Sequence, residues 1–94
     1  MDNTNTFKAT ITRFDCDMGW YYVSVPLELS VPLKAFAERG LIAVSATVGK
    51  TSWPTSLMPM GDGTHFLALS AKVRKKEGLE LGDEIQVSFE LRQR

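Results

Sequence analysis

Ser56, Asp62 and His65 bring a hydroxyl, a carboxylate and an imidazole into one short stretch of the chain. A nucleophilic relay needs those three groups within hydrogen-bond reach and in a fixed order. His65 is the only histidine, and no second base accompanies it. One imidazole alone is thin acid–base machinery, so no catalytic set is expected. A simpler use exists for each group. In Gly61-Asp62-Gly63 an aspartate can accept from nearby backbone N–H groups while the glycines take positive φ. A histidine just after such a turn serves as a surface or capping residue. Gly49-Lys50-Thr51-Ser52 has the ending of a phosphate-binding loop, but Val44 stands where the first glycine is required and Trp53-Pro54 cannot open a helix. Lys50 is then a solvated turn residue. Cys16 and His65 are too far apart in sequence to form a recognisable ligand spacing, so neither a metal nor another cofactor is expected.

Binding chemistry has more to work with. Trp20, Tyr21, Tyr22 and Trp53 concentrate aromatic area, and strand alternation sends Tyr21 and Tyr22 to opposite faces. Outward aromatics near a barrel mouth can stack on a ligand, whereas inward ones fill the core. Pro54 to Met60 carries two prolines and two methionines without a charge, a composition suited to adaptable contacts or to a barrel lining. The ligand- or partner-binding candidates are therefore Trp20, Trp53, Ser56, Met58, Asp62 and His65. Ordinary core filling is the expected use of the aromatics; in the alternative of a small-molecule pocket between barrel and helices, Trp20, Trp53 and Met58 are its lining. Residues 72–76 hold four of the 11 basic residues, and Arg74, Lys75 and Lys76 are candidate contacts to phosphate or an acidic partner. Such a run is usually a solvated face, and Glu77, Glu80, Asp83 and Glu84 dilute its field.

These residues need elements to hold them. Residues 7–14 alternate, with Phe7, Ala9 and Ile11 on one face, and predict a half-buried strand. The turn at 15–19 leads to a β-branched, aromatic strand over 20–25, making a hairpin. Ser30 as N-cap, Pro32 in the first turn and Gly40 as C-cap predict a helix whose inward face is Leu29, Leu33 and Phe36. Ile42, Val44, Ala46 and Val48 mark a strand, followed by a Gly49-Lys50 turn of the II′ kind and a return strand over 51–58. Pro54 places part of that strand at an edge or bulge. A strand over 65–69 follows, then a helix over 71–77 between Ser70 and Gly78, and a last strand over 84–92. Leucine-rich 79–81 and Gly82-Asp83 form the bend before it. The sum is a mainly β fold: a small closed antiparallel barrel of about six strands with two short helices. Its two halves share a strand–helix–bend–strand order at an offset of about 43–44 residues, which suggests an internal duplication with a pseudo-two-fold axis.

Length and charge bound the function. Ninety-four residues make one domain, with a polar, disordered tail over 1–6 and the barrel over 7–92. Eleven Lys+Arg against 11 Asp+Glu leave zero formal net charge, which argues against a dedicated nucleic-acid binder without excluding one. No apolar run is long enough for a membrane span, the amino terminus has no signal-peptide pattern, and one cysteine fits a reducing, cytoplasmic setting.

Four segments together carry a family likeness. They are Gly19 to Pro26, Val44 to Gly49, Thr55-Ser56-Leu57-Met58-Pro59-Met60-Gly61-Asp62-Gly63, and Val73-Arg74-Lys75 with Gly78-Leu79-Glu80-Leu81-Gly82-Asp83. Their order and spacing resemble the domain-of-unknown-function family nineteen-oh-five. The resemblance covers roughly residues 7–91 and implies a double-split β-barrel with no established activity. Some members of that family carry a helical domain after the barrel, which implies a companion in trans for a chain ending at Arg94. The last third is also similar to the swapped-hairpin barrels of transition-state regulators and antitoxins, which likeness bears on fold more than function. The expectation is a non-enzymatic binding or interaction module, monomeric or weakly self-associating, with an unidentified protein or small molecule as partner. The alternatives are a DNA-binding regulator working through Arg74, Lys75 and Lys76, and a small-molecule-binding barrel.

Overall fold

Period-two alternation builds much of the molecule, most regularly in the strand over 42–48, where every second residue is buried. A computed structural model describes residues 5–14 and 19–92. In chain order it has β1 (Asn5–Thr10), β2 (Thr12–Arg13), β3 (Tyr21–Val25), α1 (Leu27–Leu33), a 3-10 turn (Lys34–Phe36), β4 (Ile42–Val48), β5 (Thr51–Pro59), β6 (His65–Leu69), α2 (Ala71–Glu77) and β7 (Glu84–Leu91). The strands form one antiparallel sheet in the order β1-β7-β4-β5-β6-β3-β2. Its two ends, β1 and β2, are separated in the chain by Ile11 alone, so the sheet curls into a nearly closed barrel.

Seven strands stand where six are predicted, and Ile11 is the reason. The expected strand over 7–14 breaks there. Before the break it pairs with β7, with Phe7 opposite Val87, and after it with β3, with Thr12 opposite Tyr22. At the break the Ile11 N–H donates to the Asp83 carbonyl at 2.8 Å and the Ile11 carbonyl accepts from Gly82 at 3.0 Å. A bend thus carries one strand from one side of the barrel to the other with its backbone groups satisfied. The strand also begins earlier than predicted. Asn5 pairs with Phe89 and Thr6 with Ser88, so these two residues belong to the barrel rather than to a tail.

The core is the inward set of these strands: Ile42, Val44, Ala46 and Val48 from β4, Leu57 from β5, Val23 and Val25 from β3, Leu67 and Leu69 from β6, and Val87 and Phe89 from β7. The β4–β5 turn is as predicted, with Val48 opposite Thr51 and Gly49 at φ 59°. Pro54 sits where β5 pairs with β4 only, so its missing N–H costs no ladder bond on the open side.

The first helix differs from expectation. It starts four residues earlier than a Ser30 cap would allow, after an extended Pro26, and puts Ser30 in the interior. Pro32 then lies near its carboxyl end, where it cannot donate to the Glu28 carbonyl, and the chain tightens into the 3-10 turn. Leu33 is buried and Leu29 packs against the core, but Phe36 is 61% exposed, not part of an inward face. Gly40 is not a helix cap. It forms, with Arg39, the two-residue turn between Glu38 and Leu41, with φ of 82° and 54°. Positive φ at both central positions is the type I′ requirement that glycine meets without strain. The second helix is as predicted. Ser70 accepts from the Val73 N–H at 3.3 Å, and Gly78 closes the helix in the left-handed conformation at φ 64°. Among the described residues no helix is long and apolar enough to cross a membrane. The turn expected over 15–19, with Cys16 in it, lies outside the described residues except for Gly19.

Candidate functional site

The sheet opens where β5 leaves β6. These strands pair only at Met58 with Phe66 and Pro59 with His65. Continued further, the register would set Thr55 opposite Leu69 and Trp53 opposite Ala71, but there the strands have parted. On its other edge β6 remains fully paired with β3, Tyr21 opposite Leu69. The gap is a groove of about 490 Å³ with Trp53, Thr55 and Met58 on one wall and Trp20 and Tyr21 on the other. The end of β6 and the start of α2 make its floor, with small side chains at Ala68, Ser70 and Ala71. A volume of several hundred cubic ångströms, mostly apolar with few polar groups, is typical of small-molecule sites.

Trp20, Trp53 and Met58, remote in sequence, thus meet in one place. Trp20 is 44% exposed, while Trp53 and Met58 are half-buried. Arg74 joins them. Its guanidinium lies 3.7 Å over the Tyr21 ring, and its Nε donates to the Leu69 carbonyl at 3.3 Å. The expected phosphate patch is therefore divided: Arg74 turns into the groove, while Lys72, Lys75 and Lys76 are exposed on α2. Tyr21, one of the four concentrated aromatics, also lines the groove, as do Ser70, expected only as a helix cap, and Thr55, which no binding expectation named. The alternation of Trp53 and Thr55 on one strand face was the available signal for Thr55; nothing local marks Tyr21 as the platform for a residue on α2. Tyr22, on the opposite face, stacks on Phe14 at 4.0 Å and meets Phe66 edge-on at 5.6 Å.

Ser56, Asp62 and His65 are not brought together. Ser56 lines a different depression, of about 750 Å³, with Phe36, Glu38, Arg39, Leu41 and Arg92. That depression is wider but mixes opposite charges on its rim and has no converging aromatic wall, so we favour the groove on chemistry rather than size. Asp62 is exposed and committed to its turn: its Oδ1 accepts from the Thr64 hydroxyl at 2.5 Å and from the Thr64 N–H at 3.0 Å. Those bonds hold its carboxyl below the usual range, the hydroxyl bond contributing most. Asp83 braces its own bend similarly, accepting from the Glu80 N–H at 2.9 Å. His65 is 4% exposed, and its Nδ1 has no hydrogen-bond partner among the described residues. Burial, and then the positive charge of Lys34, push its pKa down, so the neutral imidazole is the resident form. Ser30 Oγ is likewise buried without a partner among the described residues. Among the described residues no three His, Cys, Asp or Glu side chains gather in a metal-holding group.

No curated protein matches the sequence. The family model described as a domain of unknown function, DUF1905, matches residues 7–89, from the β1 core residue Phe7 to the β7 core residue Phe89. That span includes all of the barrel but the ends of β1 and β7, with both walls of the groove and Arg74, and the chain belongs to this family.

Proposed function

We propose that the protein is a non-enzymatic binding module and that the groove between β5 and β6 is its binding site. One observation carries this reading: the chain's only two tryptophans, 33 positions apart, line the same opening together with Met58 and Arg74. Aromatic walls supply large contact area at low conformational cost. The same fact supplies the assay. Both indole N–H resonances report on the groove, so a ligand screen followed by nitrogen-15 spectra reads binding directly. Ligands that raise the melting temperature should shift both indole signals, and Trp53→Ala should abolish their effect. Stabilising ligands that leave both signals in place would move the site elsewhere.

We further infer that the barrel is double-split and arose by duplication. The support lies in element bounds. β3 with α1, Tyr21–Val25 and Leu27–Leu33, corresponds in length and spacing to β6 with α2, His65–Leu69 and Ala71–Glu77. β3 and β6 pair antiparallel with each other, as do β4 and β7, which is the arrangement a two-fold axis imposes. The segment from Asn5 to Arg13 joins the β7 side to the β3 side, and β5 joins the β4 side to the β6 side. In this correspondence Tyr21 and Arg74 of the groove answer to His65 and Ser30. At this place the two halves differ in chemistry: an aromatic–guanidinium pair on one side, two buried neutral polar groups on the other.

A further inference from the structure

We propose that the groove selects ligands that join a planar aromatic ring to an anionic group, with Arg74 as the partner of the anion; this rests on the groove being the binding site. Among the described residues Arg74 is the only charged side chain in the lining. Among the described residues no carboxylate lines the groove to offset it, so the field of the described lining favours a negative ligand although the whole chain is neutral. The guanidinium is also held in place. Its Nε donates to the Leu69 carbonyl, and its central carbon lies 3.7 Å from the Tyr21 ring centroid. Its backbone is anchored one turn into α2, where its N–H donates to the Ser70 carbonyl at 3.0 Å. Among the described residues no hydrogen bond engages its Nη groups, which are the ends that would meet a ligand. A guanidinium fork matches a carboxylate in a way that an ammonium cannot, and a fork already fixed by stacking loses little freedom on binding.

The rest of the lining fits the ring of such a ligand. Trp20 and Trp53 offer aromatic surface, and Met58 offers a polarizable thioether that packs well on aromatic edges. Ala68 and Ala71 keep the floor shallow, so a flat ring can lie near the walls. Stacking alone does not discriminate by charge; Arg74 does. A cationic aromatic should be rejected, since nothing in the described lining can neutralise it.

Naphthalene-2-carboxylate and its neutral carboxamide are the test pair, titrated into the full chain while the Trp20 and Trp53 indole signals are followed. The carboxylate should bind about tenfold tighter or more, as a charge-assisted bond implies. The ratio should fall towards one in Arg74→Met, stay partly elevated in Arg74→Lys, and shrink in the wild-type chain as salt rises. The salt series needs no variant, so loss of folding in Arg74→Met leaves the test intact. Equal binding of both compounds at the indoles would overturn the anion preference and leave the groove as the site. A carboxylate preference that ignores salt and survives in folded Arg74→Met would also overturn it. Binding of either compound without movement of the indole signals would overturn the groove itself.

Discussion

At the scale of single residues, the acid–base group of most interest turns out to be a buried structural histidine. His65 pairs as a β6 residue with Val25 and Pro59, and its ring is shut away from water. Its folded pKa lies below the usual value near 6.5, first through burial and then through Lys34. The unfolded chain therefore takes up a proton more readily than the folded one. Its neutral form is fully compatible with the fold above the ordinary histidine pKa, and stability falls as pH drops from there through the lower folded value. Thermal melts from pH 7.5 down to 5 should show a falling midpoint that flattens in His65→Gln; an equally steep fall in the variant would assign the effect to other groups. Arg92 also acquires a role that its outward place in the alternation does not suggest. Its Nε and Nη2 donate to the carbonyls of Val44 and Thr55, both at 2.9 Å.

At the scale of elements, the two helices contrast. α2 could be delimited from the sequence because its signals are local: a serine accepting from the third helical N–H, and a glycine where the chain must turn left-handed. Ser70→Ala should lower stability by about 1 kcal/mol in urea unfolding. Because Ser70 is also floor of the groove, the variant should shift the Trp20 indole signal; no change in either measurement would sever the cap from the site. α1 could not be delimited this way. Pro32 is favoured in a first turn but tolerated here near the helix end, since packing Leu29 and Leu33 on the core settles where the helix must lie. Strand pairing likewise depends on partners: Ile11 alternates perfectly in sequence, and only its bonds to the 82–83 bend divide the strand.

At the scale of the whole molecule, β5 holds the two sides of the barrel together. Leu57, fully buried, is its last core residue before the strand reaches β6. Leu57→Ala should cost about 2–5 kcal/mol, against a total of roughly 5–14 kcal/mol for a domain of this size. The expected result is a urea midpoint lowered by a large fraction, with the Trp20 and Trp53 signals broadening before global unfolding. Duplication makes a separate prediction. A chain cut between Lys50 and Thr51 should reassemble from its two co-expressed pieces, because each half supplies strands that pair with the other. Failure of the pieces to co-purify as a folded complex would count against two interlocking units.

Periodicity, turn chemistry and capping are properties of neighbouring residues, so the sequence by itself determined the strands from Tyr21 onward, the second helix, the Asp62 and Asp83 turns and the mainly β class. The family pattern was legible too, since the motifs that carry it lie in those turns and strands. What surrounds a side chain from elsewhere in the chain has no local code. Only the tertiary structure decided that Arg74 leaves the lysine face of α2 for Tyr21, that Ser56 and His65 part company, and that β5 separates from β6. The zero net charge of the chain is a sum over all residues and is blind to position. The single positive charge of the described lining exists because folding gathers aromatic and small residues around one arginine and places the described carboxylates elsewhere.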